Sequence, residues 1–98
     1  MKKSFKIPIY NQHITVSSAM PDKYKNDYRA IFVYDEWTLY YQPEFWGVEY
    51  CVHECVHIVN ELCKRLLICL DYDNDEAYAY LVQYVFKKVW DLTSQFRD

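Results

Sequence analysis

The 98-residue sequence predicts an α+β fold in which a small antiparallel sheet of two hairpins packs against two long antiparallel helices. Two patterns indicate this fold. The first half holds short β-branched and aromatic runs separated by Asn, Asp and Pro residues, which is typical of strands and turns. From Val48 onward, apolar residues recur at alternating spacings of four and three, which is the period of one helix face. The length suits one domain, residues 1–98, with one modest core.

Two hairpins account for the predicted strands. Residues 5–10 and 13–16 are apolar-rich runs split by an Asn-Gln pair, and residues 29–34 and 37–41 are joined by an Asp-Glu pair. The polar stretch 17–28 between the hairpins is expected to form a loop with one helical turn. The sequence after the second hairpin is then expected to be helical.

Each predicted helix has one apolar stripe, which we expect to face the core. An Asp-rich stretch at residues 70–74 separates the two helices. The stripe of the first helix consists of Val48, Val52, Cys55, Val59, Leu62 and Leu66, and that of the second of Tyr78, Val82, Val85, Val89 and Leu92.

Composition and charge narrow the range of functions. The chain is 52% hydrophobic and 19% aromatic, which excludes a disordered protein. The net charge is −3 and the sequence has no basic cluster, so it offers no positively charged surface for binding nucleic acid or anionic lipid. The residues after Met1 do not read as a signal peptide, and no apolar run approaches the length of a membrane span, so a cytoplasmic protein is expected. The four cysteines are accordingly expected to be reduced, with Cys51 and Cys55 packed in the core.

The motif with the clearest chemistry is His53-Glu54-Cys55-Val56-His57, an HExxH pentad within the first predicted helix. At helical spacing the two imidazoles project from one face, one turn apart, and can share a zinc ion. The intervening Glu54 can then activate a metal-bound water as a general base. A solvated helix face with two ordinary histidines is the alternative.

A catalytic zinc site needs a third protein ligand, and Glu76 is the best candidate. Eighteen residues separate it from His57, enough to complete the first helix, turn, and bring the second helix back alongside; Asp75 is the fallback ligand. In the competing interpretation, Asp73 caps the second helix and Glu76 is the third residue of a capping box. A calcium loop starting at Asp71 is disfavoured, because Glu76 occupies the position of the required glycine.

Two further features bear on substrate handling. Tyr80 lies one turn after Glu76 and could stabilise an oxyanion through its phenol. Most tyrosines, however, pack their ring against apolar neighbours and expose only the hydroxyl group to solvent. Residues 37–41 could form a sheet edge that pairs with an extended peptide.

At these residues the chain resembles the gluzincin group of zinc metallopeptidases. HECVH followed, after an 18-residue gap, by Glu76 within DEAYAYLVQY matches the order of HExxH helix, turn and Glu-bearing helix. The second segment resembles in particular small peptidases of phages and mobile elements, including the ImmA/IrrE-like proteins. The resemblance covers residues 48–90. It implies a minimal zincin-like domain in which His53, His57 and Glu76 bind zinc and Glu54 is the base.

The sequence therefore predicts a zinc-dependent hydrolase, a small metallopeptidase of phage or mobile-element origin that acts on a peptide or protein. The alternative is a binding protein with a structural or vestigial metal site that inhibits a host factor, since tyrosine-rich surfaces are common at interfaces. The sequence does not indicate an oligomeric state.

Overall fold

A computed structural model of the chain describes residues 1–8, 10–67, 71, 73 and 75–94. The strands are β1 (Lys2–Ile7), β2 (Gln12–Ser17), β3 (Ala30–Val33) and β4 (Thr38–Tyr41). A single helical turn, α1 (Asp22–Lys25), lies between β2 and β3, and a 3-10 turn (Pro43–Phe45) follows β4. Two long helices, α2 (Val48–Arg65) and α3 (Glu76–Leu92), complete the fold.

Both predicted hairpins are confirmed, although the first strand is Lys2–Ile7 and not residues 5–10. β1 pairs with β2 antiparallel, with Phe5 opposite Ile14, and β3 pairs with β4 antiparallel, with Phe32 opposite Leu39. The first turn uses Asn11 at φ 54°, a left-handed conformation that Asn tolerates better than most residues.

The prediction of an antiparallel sheet is wrong, because the two hairpins join through parallel strands. The strand order is β1-β2-β4-β3, and β2 runs parallel to β4 with Val16 beside Leu39. The connection at residues 18–29 carries the chain past the position of β4 to form β3 first, and β4 then returns between β2 and β3. The sheet is therefore mixed, and β3 lies at its edge beside α2.

One hydrophobic core joins the sheet to both long helices. Ile14, Val16 and Leu39 contribute fully buried side chains from the two central strands. The helices contribute Cys51, Cys55, Ile58, Val59, Leu62, Cys63, Val85 and Val89.

The two long helices are antiparallel, as predicted. Near the start of α2, Trp46 Nε1 donates a hydrogen bond to Thr93 Oγ1 at the end of α3, at 2.9 Å. Near the other end, Tyr78 donates its hydroxyl hydrogen to Asn60 Oδ1 at 2.8 Å. These contacts align the start of each helix with the far half of the other.

The apolar stripe predicted for α2 is confirmed at three of its six positions. Cys55, Val59 and Leu62 are buried, whereas Val48, Val52 and Leu66 are 51%, 43% and 39% exposed. The buried face instead widens towards Glu54, because β3 packs along that side of the helix.

Three cysteines, Cys51, Cys55 and Cys63, are buried free thiols. The predicted core packing of Cys51 and Cys55 is confirmed, while Cys69 lies outside the described residues. Among the helices of the described part of the chain, none combines the length and apolarity that crossing a membrane requires.

Candidate metal centre

The two histidines of the pentad converge on a common point. His53 and His57 lie one turn apart on α2, and their Nε2 atoms are 3.2 Å apart. The rings are inclined at 70° to each other, with centroids 4.9 Å apart. Both side chains are exposed, so the nitrogen pair is accessible from solvent.

This separation fits two ligands of a single zinc ion. Zinc binds imidazole nitrogen at about 2.0–2.1 Å, and two such bonds spanning 3.2 Å enclose an angle of roughly 100–106°, close to tetrahedral. In the absence of metal, the same geometry allows one neutral imidazole to donate its Nε2 hydrogen to the other. The separation of the two nitrogens therefore suits two ligands of one zinc ion.

Glu54 is the one buried acidic residue of α2. Its side chain is 8% exposed, compared with 67% for that of His53. Oε1 accepts the backbone N–H of Phe32 from β3 at 2.9 Å, and Oε2 lies 3.9 Å from His53 Nε2. Burial raises the pKa of the carboxyl group, and this outweighs the lowering of the pKa by His53 and by the Phe32 N–H.

A cleft of about 820 Å³ runs between α2 and the edge strand β3, and His53, Glu54 and His57 line it. Because β3 ends the sheet, one side of its backbone faces the helix rather than another strand. Glu54 uses one of these outward groups, the N–H of Phe32. The remaining cleft lining from α2 follows the same helix face, from Glu49 and Tyr50 to Asn60, Glu61 and Lys64.

The predicted third ligand lies apart from the two histidines. Glu76 is the first residue of α3 and is exposed. Tyr78, two residues later on α3, contacts Asn60, which lies three residues beyond His57 on α2. Within the described residues, no group of three or more His, Cys, Asp or Glu side chains is arranged to hold a metal ion.

The alternative role of Glu76 in a capping box is not formed. α3 begins at Glu76 itself, with Asp75 at the N-cap and no side-chain capping hydrogen bond. The N–H of Asp73 instead donates to Asp71 Oδ1 at 2.9 Å. Among the described residues, the Glu76 carboxylate has no hydrogen-bond or ion-pair partner.

The other predicted substrate-handling residues lie away from the histidines. Tyr80 is 66% exposed and lines a separate cavity, between α3 and the β1–β2 turn. The prediction that residues 37–41 form a peptide-binding sheet edge is wrong, because β4 is an interior strand and Tyr41 is fully buried. The edge that the cleft exposes is β3.

The structure adds Asn60 and Arg29 to the cleft residues. Asn60, three residues after His57, shares the face of the pentad with Tyr50, three residues before His53, and helical periodicity alone could have indicated it. Arg29 approaches from the sheet, where it donates from Nη1 to the Tyr50 hydroxyl at 3.0 Å. No sequence signal linked Arg29 to α2, because the contact spans 21 residues.

Comparisons of the chain with protein-family models, with curated proteins and with solved structures find no match.

Proposed function

We propose that the chain is a cytoplasmic zinc-dependent hydrolase, a small metallopeptidase of phage or mobile-element origin. The observation that carries the proposal is the 3.2 Å convergence of the His53 and His57 nitrogens beside the buried Glu54, in an open cleft. Buried carboxylates are rare unless they are paired or functional, and within the described residues only Oε1 of Glu54 accepts a hydrogen bond, while Oε2 lies 3.9 Å from His53 Nε2.

In this proposal His53 and His57 hold zinc, and Glu76 supplies the third ligand. Zinc, when bound, activates water and polarises a carbonyl as a Lewis acid. Because the described residues do not bring Glu76 together with the two histidines, its ligation requires the start of α3 to move towards His57. The lack of a side-chain cap on α3 leaves the Glu76 carboxylate available for this movement.

Glu54 is proposed as the general base. Its two oxygens have different surroundings: Oε1 is tied to Phe32, whereas Oε2 faces His53. Oε2 would accept a proton from the attacking water and later pass it to the leaving amine. The hydrogen bond to Phe32 fixes the carboxylate so that this oxygen stays directed at the histidines.

A peptide substrate is supported by the position of the cleft. β3 contributes an open backbone edge along one wall, and the histidines lie on the other. A volume of about 820 Å³ lies within the range of ligand pockets and accommodates a short peptide segment. Tyr80, at its separate cavity, would serve an oxyanion only after a movement like that of Glu76.

The test is hydrolysis of a mixed peptide library by zinc-loaded protein, comparing wild type with Glu54→Gln at equal zinc content. The variant should lose about 10²- to 10⁴-fold in turnover, the usual effect of removing a general base. Glu49→Gln is the matched control, since Glu49 is an exposed residue of the same helix and cleft. Equal turnover in wild type and Glu54→Gln would contradict the mechanism.

The second candidate is a binding protein that inhibits a host factor with a structural or vestigial metal site. The observation that favours it is that the described residues bring only two zinc-type ligands together. A binder should keep its biological effect in Glu54→Gln. It should lose that effect when exposed cleft residues such as Tyr28 and Tyr34, which are 46% and 54% exposed, are changed to serine.

A further inference from the structure

Arg29 is held in the cleft from two sides. It immediately precedes β3, and its guanidinium lies over the Phe45 ring with its Cζ atom 4.5 Å from the ring centroid. Nη1 also donates to the Tyr50 hydroxyl at 3.0 Å. An aromatic face and a hydrogen bond together restrict the side chain, so that little rotamer freedom remains to be lost when a ligand binds.

The charge of Arg29 is not neutralised within the described part of the chain. None of the ion pairs there includes Arg29, although Arg65, for comparison, pairs with Glu61 at 2.8 Å. Asp27 and Glu49 line the same cleft, yet within the described residues neither forms an ion pair with Arg29. Arg29 therefore presents unused N–H donors to the cleft in a planar array that matches a carboxylate.

Tyr50 adds a second donor at the same point. Its hydroxyl oxygen accepts from Arg29, so its own hydrogen remains available to a ligand. Tyr50 lies three residues before His53 and seven before His57 on one helix face, which corresponds to axial distances of about 4.5 and 10.5 Å. Arg29 and Tyr50 thus mark one end of the cleft, and the histidines lie further along it.

We propose that Arg29 and Tyr50 form a carboxylate-binding subsite that sets the substrate class of the cleft. This inference rests on the proposed peptidase function for its biological meaning. An extended peptide advances about 3.3–3.6 Å per residue, so a carboxylate at Arg29 places a peptide bond one to three residues away at the histidines. The carboxylate comes from the C-terminus of the peptide or from an Asp or Glu side chain near the scissile bond.

The test measures the affinity of three N-acetylated pentapeptides for zinc-loaded Glu54→Gln protein, in which peptides stay intact. One peptide has neutral side chains and a free C-terminus, the second is its C-terminal amide, and the third is the amide with a single Glu. Calorimetry should show one of the carboxylate-bearing peptides binding about tenfold more tightly than the neutral amide. Whichever peptide binds more tightly identifies the source of the carboxylate.

Adding Arg29→Gln should reduce the affinity for the preferred peptide to that for the neutral amide, and leave the affinity for the amide unchanged. Tyr50→Phe should cause a smaller loss of the same kind, because the ring and its packing remain. Lys88→Gln, an exposed charge change on α3 whose Nζ lies over Tyr84, is the matched control and should have no effect.

The inference is overturned if all three peptides bind with equal affinity or if none binds measurably. It is also overturned if Arg29→Gln lowers the affinity for the neutral amide as much as the affinity for the carboxylate-bearing peptide. Its failure is distinguishable from failure of the proposed function. Glu54-dependent hydrolysis without discrimination between the acid and the amide peptide would refute the subsite and support the peptidase function. Arg29-dependent discrimination in a protein that hydrolyses no peptide would support the subsite and refute the peptidase function.

Discussion

We expect the buried carboxylate of Glu54 to destabilise the metal-free protein, and the Glu54→Gln variant tests this. Gln has nearly the same shape, and its amide oxygen can still accept the Phe32 N–H that now bonds Oε1 at 2.9 Å. The substitution removes only the negative charge, whose burial raises the pKa of the group. We therefore expect Glu54→Gln to be at least as stable as wild type at pH 7, in the presence of a chelator.

Glu54→Met provides the contrasting variant. Met fills a similar volume but offers no oxygen, so the Phe32 N–H loses its acceptor between α2 and β3. An unsatisfied buried donor costs about 1–3 kcal/mol. In a domain of this size, 1 kcal/mol corresponds to about 4–8 °C in Tm, so the Met variant should melt at least about 4 °C below the Gln variant.

The pH dependence has a defined sign. The folded-state pKa of Glu54 lies above its ordinary value of 4.5, so the folded protein binds this proton more tightly than the unfolded chain. The advantage of Gln should be complete above the folded-state pKa, shrink as the pH falls through it, and vanish below about pH 4.5. Urea unfolding monitored by circular dichroism at several pH values measures the difference. A Gln variant less stable than wild type at pH 7, or a pH-independent difference, would refute this reasoning.

Three further predictions concern the core, the helix pair and the metal. Leu39→Ala should lower the free energy of unfolding by about 2–5 kcal/mol, because Leu39 is fully buried in a central strand. Leu66→Ala, at an exposed position, is the control and should change the free energy of unfolding by less than about 0.5 kcal/mol. Chemical denaturation measures both variants. Thr93→Val keeps the side-chain shape but removes the acceptor of the Trp46 Nε1 hydrogen bond. Thermal melting should show that the free energy of unfolding falls by about 1 kcal/mol, and an unchanged stability would contradict a stabilising role of this bond. His57→Ala should weaken zinc binding by at least about tenfold in a competition titration with a chromogenic chelator, and unchanged affinity would exclude His57 as a ligand.

Local patterns in the sequence identified the secondary structure but not the assembly of the sheet. Turn residues such as Asn11 mark both hairpins, and the four-three spacing of apolar residues marks both long helices. The order of strands depends on the path of residues 18–29, whose polar composition is compatible with several routes. For this reason the mixed sheet, and with it the edge position of β3, could not be predicted.

The candidate site was predictable where it depends on one helix. The spacing of His53 and His57 alone places both nitrogens on one side of α2, as the structure shows. The burial of Glu54 and the approach of Arg29 depend on the packing of β3, which is remote in sequence. The position of Glu76 depends on the length of α2, which continues to Arg65 and carries the turn well past His57.

Crystallography of the protein grown with zinc, with anomalous diffraction recorded at the zinc absorption edge, tests the central claim most directly. We expect a single strong anomalous peak about 2.0–2.1 Å from Nε2 of both His53 and His57, with Glu76 as the third protein ligand after movement of the start of α3. A peak bonded to the two histidines without Glu76 would contradict the proposed ligand set. The absence of any peak within bonding distance of both nitrogens would contradict the zinc centre itself.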